Sequence, residues 1–134
     1  MSTTSQYAST PNPGTPGLLT TADTSWTAPT TVSTIFTAGA NGSRVDFLDA
    51  VGVATTTACM VNFFRYDGAA YHLLTSQVFT GVTASTTAAP EAYHLASYSN
   101  PTIFPIILKT GDTIRATVTV TQTGIKAFAR GGDF

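Results

Sequence analysis

At 134 residues the chain has the length of one ordinary domain, with room for a single hydrophobic core and not for two. Only 10% of its residues are charged against 43% hydrophobic, far below the charged fraction of about a quarter usual for soluble domains. Six Lys plus Arg scattered among seven Asp plus Glu give a net charge of −1, which excludes the basic stripe that nucleic-acid binding requires.

Thr, Ser and Ala stand where Lys and Glu usually would, so the composition favours pleated strands over exposed helix faces. A surface this poor in charge does little to keep copies apart and favours association. Cys59 is the single cysteine; in Ala58-Cys59-Met60-Val61 it reads as a small buried hydrophobe, with no intrachain disulfide open to it. The first thirty residues lack the basic start and apolar centre of a signal peptide, and no run is long enough to cross a membrane as a helix. The chain is expected to be made in a cytoplasm and to have no membrane partner.

In chain order, residues 1–16 hold three prolines and no periodicity, which excludes a helix or an interior strand. They are expected to form an extended N-terminal arm, and residues 17–134 a β-sandwich domain. From Gly17 onward short apolar runs alternate with turn chemistry, predicting an all-β, antiparallel sandwich of about eight strands. The candidate segments are Gly17 to Thr21, Val32 to Ala38, Arg44 to Ala54, Ala58 to Tyr66, Tyr71 to Phe79, Ala92 to Tyr98, Ile103 to Lys109, Thr113 to Gln122 and Gly124 to Arg130.

Asn41-Gly42, Asp67-Gly68 and Lys109-Thr-Gly-Asp112 are expected to close tight turns between antiparallel neighbours. In Thr113 to Thr121, Ile114, Ala116, Val118 and Val120 alternate with polar residues, predicting one dry and one wet face. Ala58 to Phe64 is apolar on both faces, so both are expected to be covered. The prolines in Ala89-Pro90-Glu91 and Phe104-Pro105-Ile106 point to an edge or a bulge.

Little in the chain points to chemistry. Asp46 and Asp49 fall on opposite faces of a regular strand and converge only with a bulge, so they read as surface carboxylates near Arg44. No Gly-x-Ser-x-Gly elbow accompanies the two possible bases, His72 and His94. These share an aromatic-His-Leu setting and are open to pairing on adjacent strands, although ordinary hydrogen bonding is the simpler role. Gly39 to Gly42 and Arg130 to Asp133 lack the lysine and helix of a phosphate cradle. Tyr71, Tyr93 and Tyr98 are the aromatic residues that would cluster in a sugar-binding surface. No enzyme activity, metal or cofactor is expected.

The order of features, an arm followed by Thr34-Ile-Phe-Thr-Ala-Gly-Ala-Asn-Gly-Ser-Arg-Val45, Thr55-Thr-Thr-Ala-Cys-Met-Val-Asn-Phe-Phe-Arg-Tyr-Asp-Gly68, Tyr71-His-Leu-Leu74, Ile107-Leu-Lys-Thr-Gly-Asp-Thr-Ile-Arg115 and Gly124-Ile-Lys-Ala-Phe-Ala-Arg-Gly-Gly-Asp-Phe134, resembles the small β-sandwich virion proteins of tailed bacteriophages, especially capsid decoration or cement proteins. The likeness spans about Thr31 to Phe134 and rests on pattern and composition. It implies a jelly-roll-like, non-enzymatic homo-oligomer, dimer or trimer, on the outer capsid surface, clamping the major capsid protein with its arm. The contacts are then expected at Tyr7, Pro11, Pro13 and Pro16 of the arm and at Met60, Phe64 and Tyr93 of the body. The alternative implied role is a tail, head-fibre or spike module binding host-surface carbohydrate.

Overall fold

The computed structural model describes residues 8–96 and 98–134; Tyr7 lies outside them. The described residues form ten strands: β1 (Thr10–Asn12), β2 (Gly17–Leu19), β3 (Ser33–Thr37), β4 (Ser43–Gly52), β5 (Cys59–Tyr66), β6 (Tyr71–Phe79), β7 (Ala92–Ala96), β8 (Ile106–Leu108), β9 (Thr113–Val118) and β10 (Ile125–Asp133). Among the described residues there is no helix. All nine expected segments contain a strand, and the tenth, β1, falls in residues that the sequence assigns to the arm. Thr10–Asn12 pairs with Asp133–Gly131, an outer position where the missing N–H of Pro11 costs no ladder bond.

Two antiparallel sheets form the sandwich. In the six-stranded sheet, β1 and β2 run end to end along one side of β10; β4 lies on the other side, and β7 and β8 run end to end beyond it. The four-stranded sheet has the order β3-β9-β5-β6. If each end-to-end pair is one interrupted strand, the chain has eight strand positions, ordered 1-8-3-6 in one sheet and 2-7-4-5 in the other. Partners 1 and 8, 2 and 7, 3 and 6, and 4 and 5 are those of one long hairpin rolled up on itself, the jelly roll.

This order corrects the reading of two turns. Asn41-Gly42 joins β3 to β4, and Lys109 to Asp112 joins β8 to β9, so each carries the chain from one sheet to the other. Only Asp67-Gly68 closes a hairpin, between β5 and β6. There Gly68 takes φ +92°, the left-handed region that glycine enters without strain. The Asp67 carboxylate accepts the Ala70 and Ala69 amides at 2.8 and 2.9 Å. These bonds, Ala70 first, together with His72 hold its pKa far below the usual carboxylate range.

Alternation along each strand builds the core. Val45, Leu48, Ala50, Ile125, Ala127 and Ala129 enter it from the larger sheet, and Phe36, Val61, Phe63, Phe79, Ile114, Ala116 and Val118 from the smaller. The interior strand β5 is covered on both faces, as its composition requires: Asn62 and Phe64, turned away from the sandwich core, are fully buried. Tyr71 meets Phe64 edge-on at 5.8 Å. Arg115, the register partner of Phe64, lies 4.0 Å over the Tyr66 ring and donates from Nη1 to the Tyr71 hydroxyl at 2.7 Å. That cover also explains why the outward face of β9 is not wet, with Thr117 buried and Arg115 half-buried; Val120, expected on the dry face, lies beyond the strand and is exposed.

Candidate functional site

The outward face of the six-stranded sheet carries the concentration of chemistry. In β10, Ile125, Ala127 and Ala129 point inward, which turns Lys126, Phe128 and Arg130 outward. Register then aligns outward residues across three strands: Phe128 stands opposite Asp49 of β4, and Asp49 opposite His94 of β7. The row on one side is Lys126, Val51 and Ala92; the row on the other is Arg130, Phe47 and Ala96. Direct and diagonal neighbours on a sheet face are within side-chain reach.

Asp49 is 7% exposed, and both of its oxygens are engaged. Oδ1 takes Nδ1 of His94, while Oδ2 accepts from Nη2 of Arg130 at 2.6 Å, reached along the diagonal. A carboxylate this buried needs such partners, since its desolvation is otherwise uncompensated. Phe47 holds the cluster from the side: its ring stacks on His94 at 5.5 Å between centroids, and Arg130 lies 5.4 Å from its centre. His94 and Arg130 keep about half of their side-chain surface, 45% and 52%, so their outer edges face solvent.

Beside this cluster is a groove of about 580 Å3 with Asp49, Val51, His94, Phe128 and Arg130 in its floor and walls and Pro13 and Pro16 at its rim. The rim exists because the edge strand is interrupted between β1 and β2. Gly14 at the break has φ +65°, and a Cβ there would sit 2.3 Å from the carbonyl oxygen of Ala129. Asn12 Oδ1 accepts the Gly14 amide at 3.0 Å and the Thr15 amide reaches Ile35 O at 2.9 Å. The segment is thereby tied down on both sides.

The residues singled out from sequence are dispersed. Pro13 and Pro16 are exposed at the groove rim, and Pro11 is exposed on β1. Met60 is half-buried on the outward face of the smaller sheet, and Phe64, further along the same face of β5, has no exposed surface. Tyr93 borders the groove but packs edge-on against core Phe79 at 4.8 Å, its hydroxyl donating to Glu91 Oε1 at 3.2 Å. Tyr7 is outside the described residues. Tyr71, Tyr93 and Tyr98 do not cluster: Tyr71 is on the smaller sheet, Tyr93 on the larger, and Tyr98 is exposed in the connection after β7. His72 and His94 are likewise in different sheets, His72 bonding Asp67 at 2.9 Å.

Of the carboxylates, Asp46 is the extra residue where the register slips between Arg130 and Gly131; it accepts from Arg44 Nε at 2.8 Å. Glu91 is a structural knot. It accepts Thr80 N at 3.0 Å, Thr80 Oγ1 at 2.8 Å, Gly81 N at 3.0 Å and Thr56 Oγ1 at 3.2 Å. Burial works to raise its pKa, but these bonds outweigh it and hold the group below its ordinary value. Burial pushes the Cys59 thiol up, with Glu91 adding to the effect, as befits a core cysteine.

The sequence presents Asp49 and His94 separately, and neither Phe128 nor Arg130 stands out in it as a site residue. The usable signal was the alternation Lys126, Phe128, Arg130 beside Ala127 and Ala129, an aromatic and a cation on the wet side of a strand. No family model matches the chain, nor does any curated protein or solved structure.

Proposed function

We propose that the chain is a non-enzymatic structural protein of a virion, a capsid decoration protein that associates with itself and binds the outer shell through the major capsid protein. The reading rests chiefly on apolar surface left outside the core. Leu18 of β2 is 53% exposed and Val53, just after β4, 48%. The two flank Gly124, where an added Cβ would meet Val53 Cγ2 at 2.8 Å and Leu18 Cδ1 at 3.0 Å. They therefore form one continuous patch at the end of the larger sheet, the kind of surface that marks a protein contact.

Two further features support the reading. A chain with 10% charged residues has little repulsion to oppose assembly, and a jelly roll is a common architecture of viral shell domains, although fold alone does not assign function. Many weak contacts repeated over a symmetric shell add through avidity.

The test is mass spectrometry and cryo-microscopy of purified particles of the virus that encodes the chain, with sedimentation of the protein alone. The expected result is a fixed copy number with density on the shell, and a dimer or trimer in solution that dissociates in the Leu18→Asp, Val53→Asp double variant. A chain absent from particles and monomeric at tens of micromolar would overturn the reading.

A further inference from the structure

We infer that the groove on the outward face of the six-stranded sheet is a binding site for a neutral saccharide, with Phe128 as the stacking platform and the Asp49, Arg130 and His94 cluster as the hydrogen-bonding edge. Its volume of about 580 Å3 is in the range of small-molecule sites. Its floor stands on β10 and β4, the two interior strands of the sheet, so the side chains are held on a rigid base before any ligand arrives.

The arrangement of surfaces selects the ligand class. A pyranose has one face of C–H groups and a rim of hydroxyls. In the groove an aromatic ring, Phe128, stands in direct register with a polar cluster, Asp49, whose partners are Arg130 and His94. Val51, Pro13 and Pro16 extend the apolar wall. One sugar ring thus covers Phe128 while its hydroxyls reach the outer edges of the cluster, where Arg130 has N–H groups beyond the one given to Asp49, and His94 turns Nε2 away from the carboxylate.

Other ligand classes fit less well. A phosphate or carboxylate would meet Arg130 already neutralised at 2.6 Å by Asp49, and the carboxylate itself repels anions. A peptide adding as a strand pairs along a free sheet edge, here that of β7, and would leave Phe128, two strands in, uncovered. A lipid chain would cover Phe128 and leave the half-exposed Arg130 and His94 desolvated without new partners. A saccharide satisfies both halves together.

The experiment is a glycan array of neutral and acidic saccharides probed with the full chain, followed by calorimetry with the free sugars of any positive class. Binding to neutral saccharides is expected, weakened at least ten-fold by Phe128→Ala and by Asp49→Asn. Val78→Ala, on the opposite sheet, leaves it unchanged. Circular dichroism identifies a variant that has lost its fold, and Phe128→Ala removes only an outward ring, so it carries the test if Asp49→Asn does not fold. No neutral saccharide bound, binding confined to sialylated or uronic glycans, or full affinity in folded Phe128→Ala would each overturn the assignment. None of these results bears on particle occupancy, so the structural role stands or falls separately.

Discussion

Glu91→Gln isolates the hydrogen-bond knot that ties the β6–β7 connection to the loop after β4. The carboxylate collects four bonds from Thr80, Gly81 and Thr56 at 2.8 to 3.2 Å, with the Tyr93 hydroxyl as a fifth donor. Glutamine retains the length but presents an NH2 group to one set of these donors, so bonds on one oxygen are lost and donors face donors. A hydrogen bond to a charged acceptor contributes roughly 1.5–3 kcal/mol. Because Glu91 is partly exposed and water replaces some of what is removed, we expect a loss of about 2 kcal/mol, or about 8 °C in Tm for a domain of this size.

The pH dependence has a definite sign. The folded pKa of Glu91 lies below its ordinary value, burial opposing and the bonds prevailing, so its contribution is complete above the unfolded value of about 4.3. It is lost as pH falls through the lower folded value. Thermal melts of both proteins followed by circular dichroism from pH 7 to pH 3 should show a gap that narrows at the acid end. Equal Tm values at pH 7, or a gap unchanged at pH 3, would refute the reasoning.

Gly131→Ala tests the close approach of β10 to β4, since its Cβ would sit 1.8 Å from the carbonyl oxygen of Arg44. Backbone on both strands must move, and urea denaturation should show a loss of about 3 kcal/mol or no folded protein. Cys59, buried in β5 with its pKa raised by burial, should resist a thiol reagent at pH 8 and react fully once the chain is unfolded in guanidinium.

Much of the fold was legible because it is written locally. Gly-containing turns delimit β6 at Tyr71–Phe79, the very bounds the sequence suggests, and Asp67-Gly68 closes the expected hairpin. β1 was hidden because Thr10-Pro11-Asn12 carries no alternation; it is a strand only because β10 supplies the ladder. The turns at Asn41-Gly42 and Lys109 to Asp112 have hairpin chemistry, yet whether such a turn stays within a sheet or crosses to the other is settled by long-range pairing. The site was illegible for the same reason. Asp49, His94 and Arg130 are separated by 45 and 36 positions in the chain, and only the registers of β4 with β7 and β10 bring them together.

The position of β10 in the larger sheet also constrains the order of events in the cell. It lies between the β1–β2 edge and β4, and it is the last of the ten strands to be made. Until it arrives, β1 and β2 have no partner in their sheet and β4 is paired on one side only, so the ribosome must finish the domain before that sheet can close. Non-local closure of this kind is slow, and during the wait the unpaired edge of β4 and the inward faces of both sheets are open to other nascent chains. The decisive step of folding therefore waits for the last strand of the domain, and its yield depends on how well neighbouring copies are kept apart during synthesis.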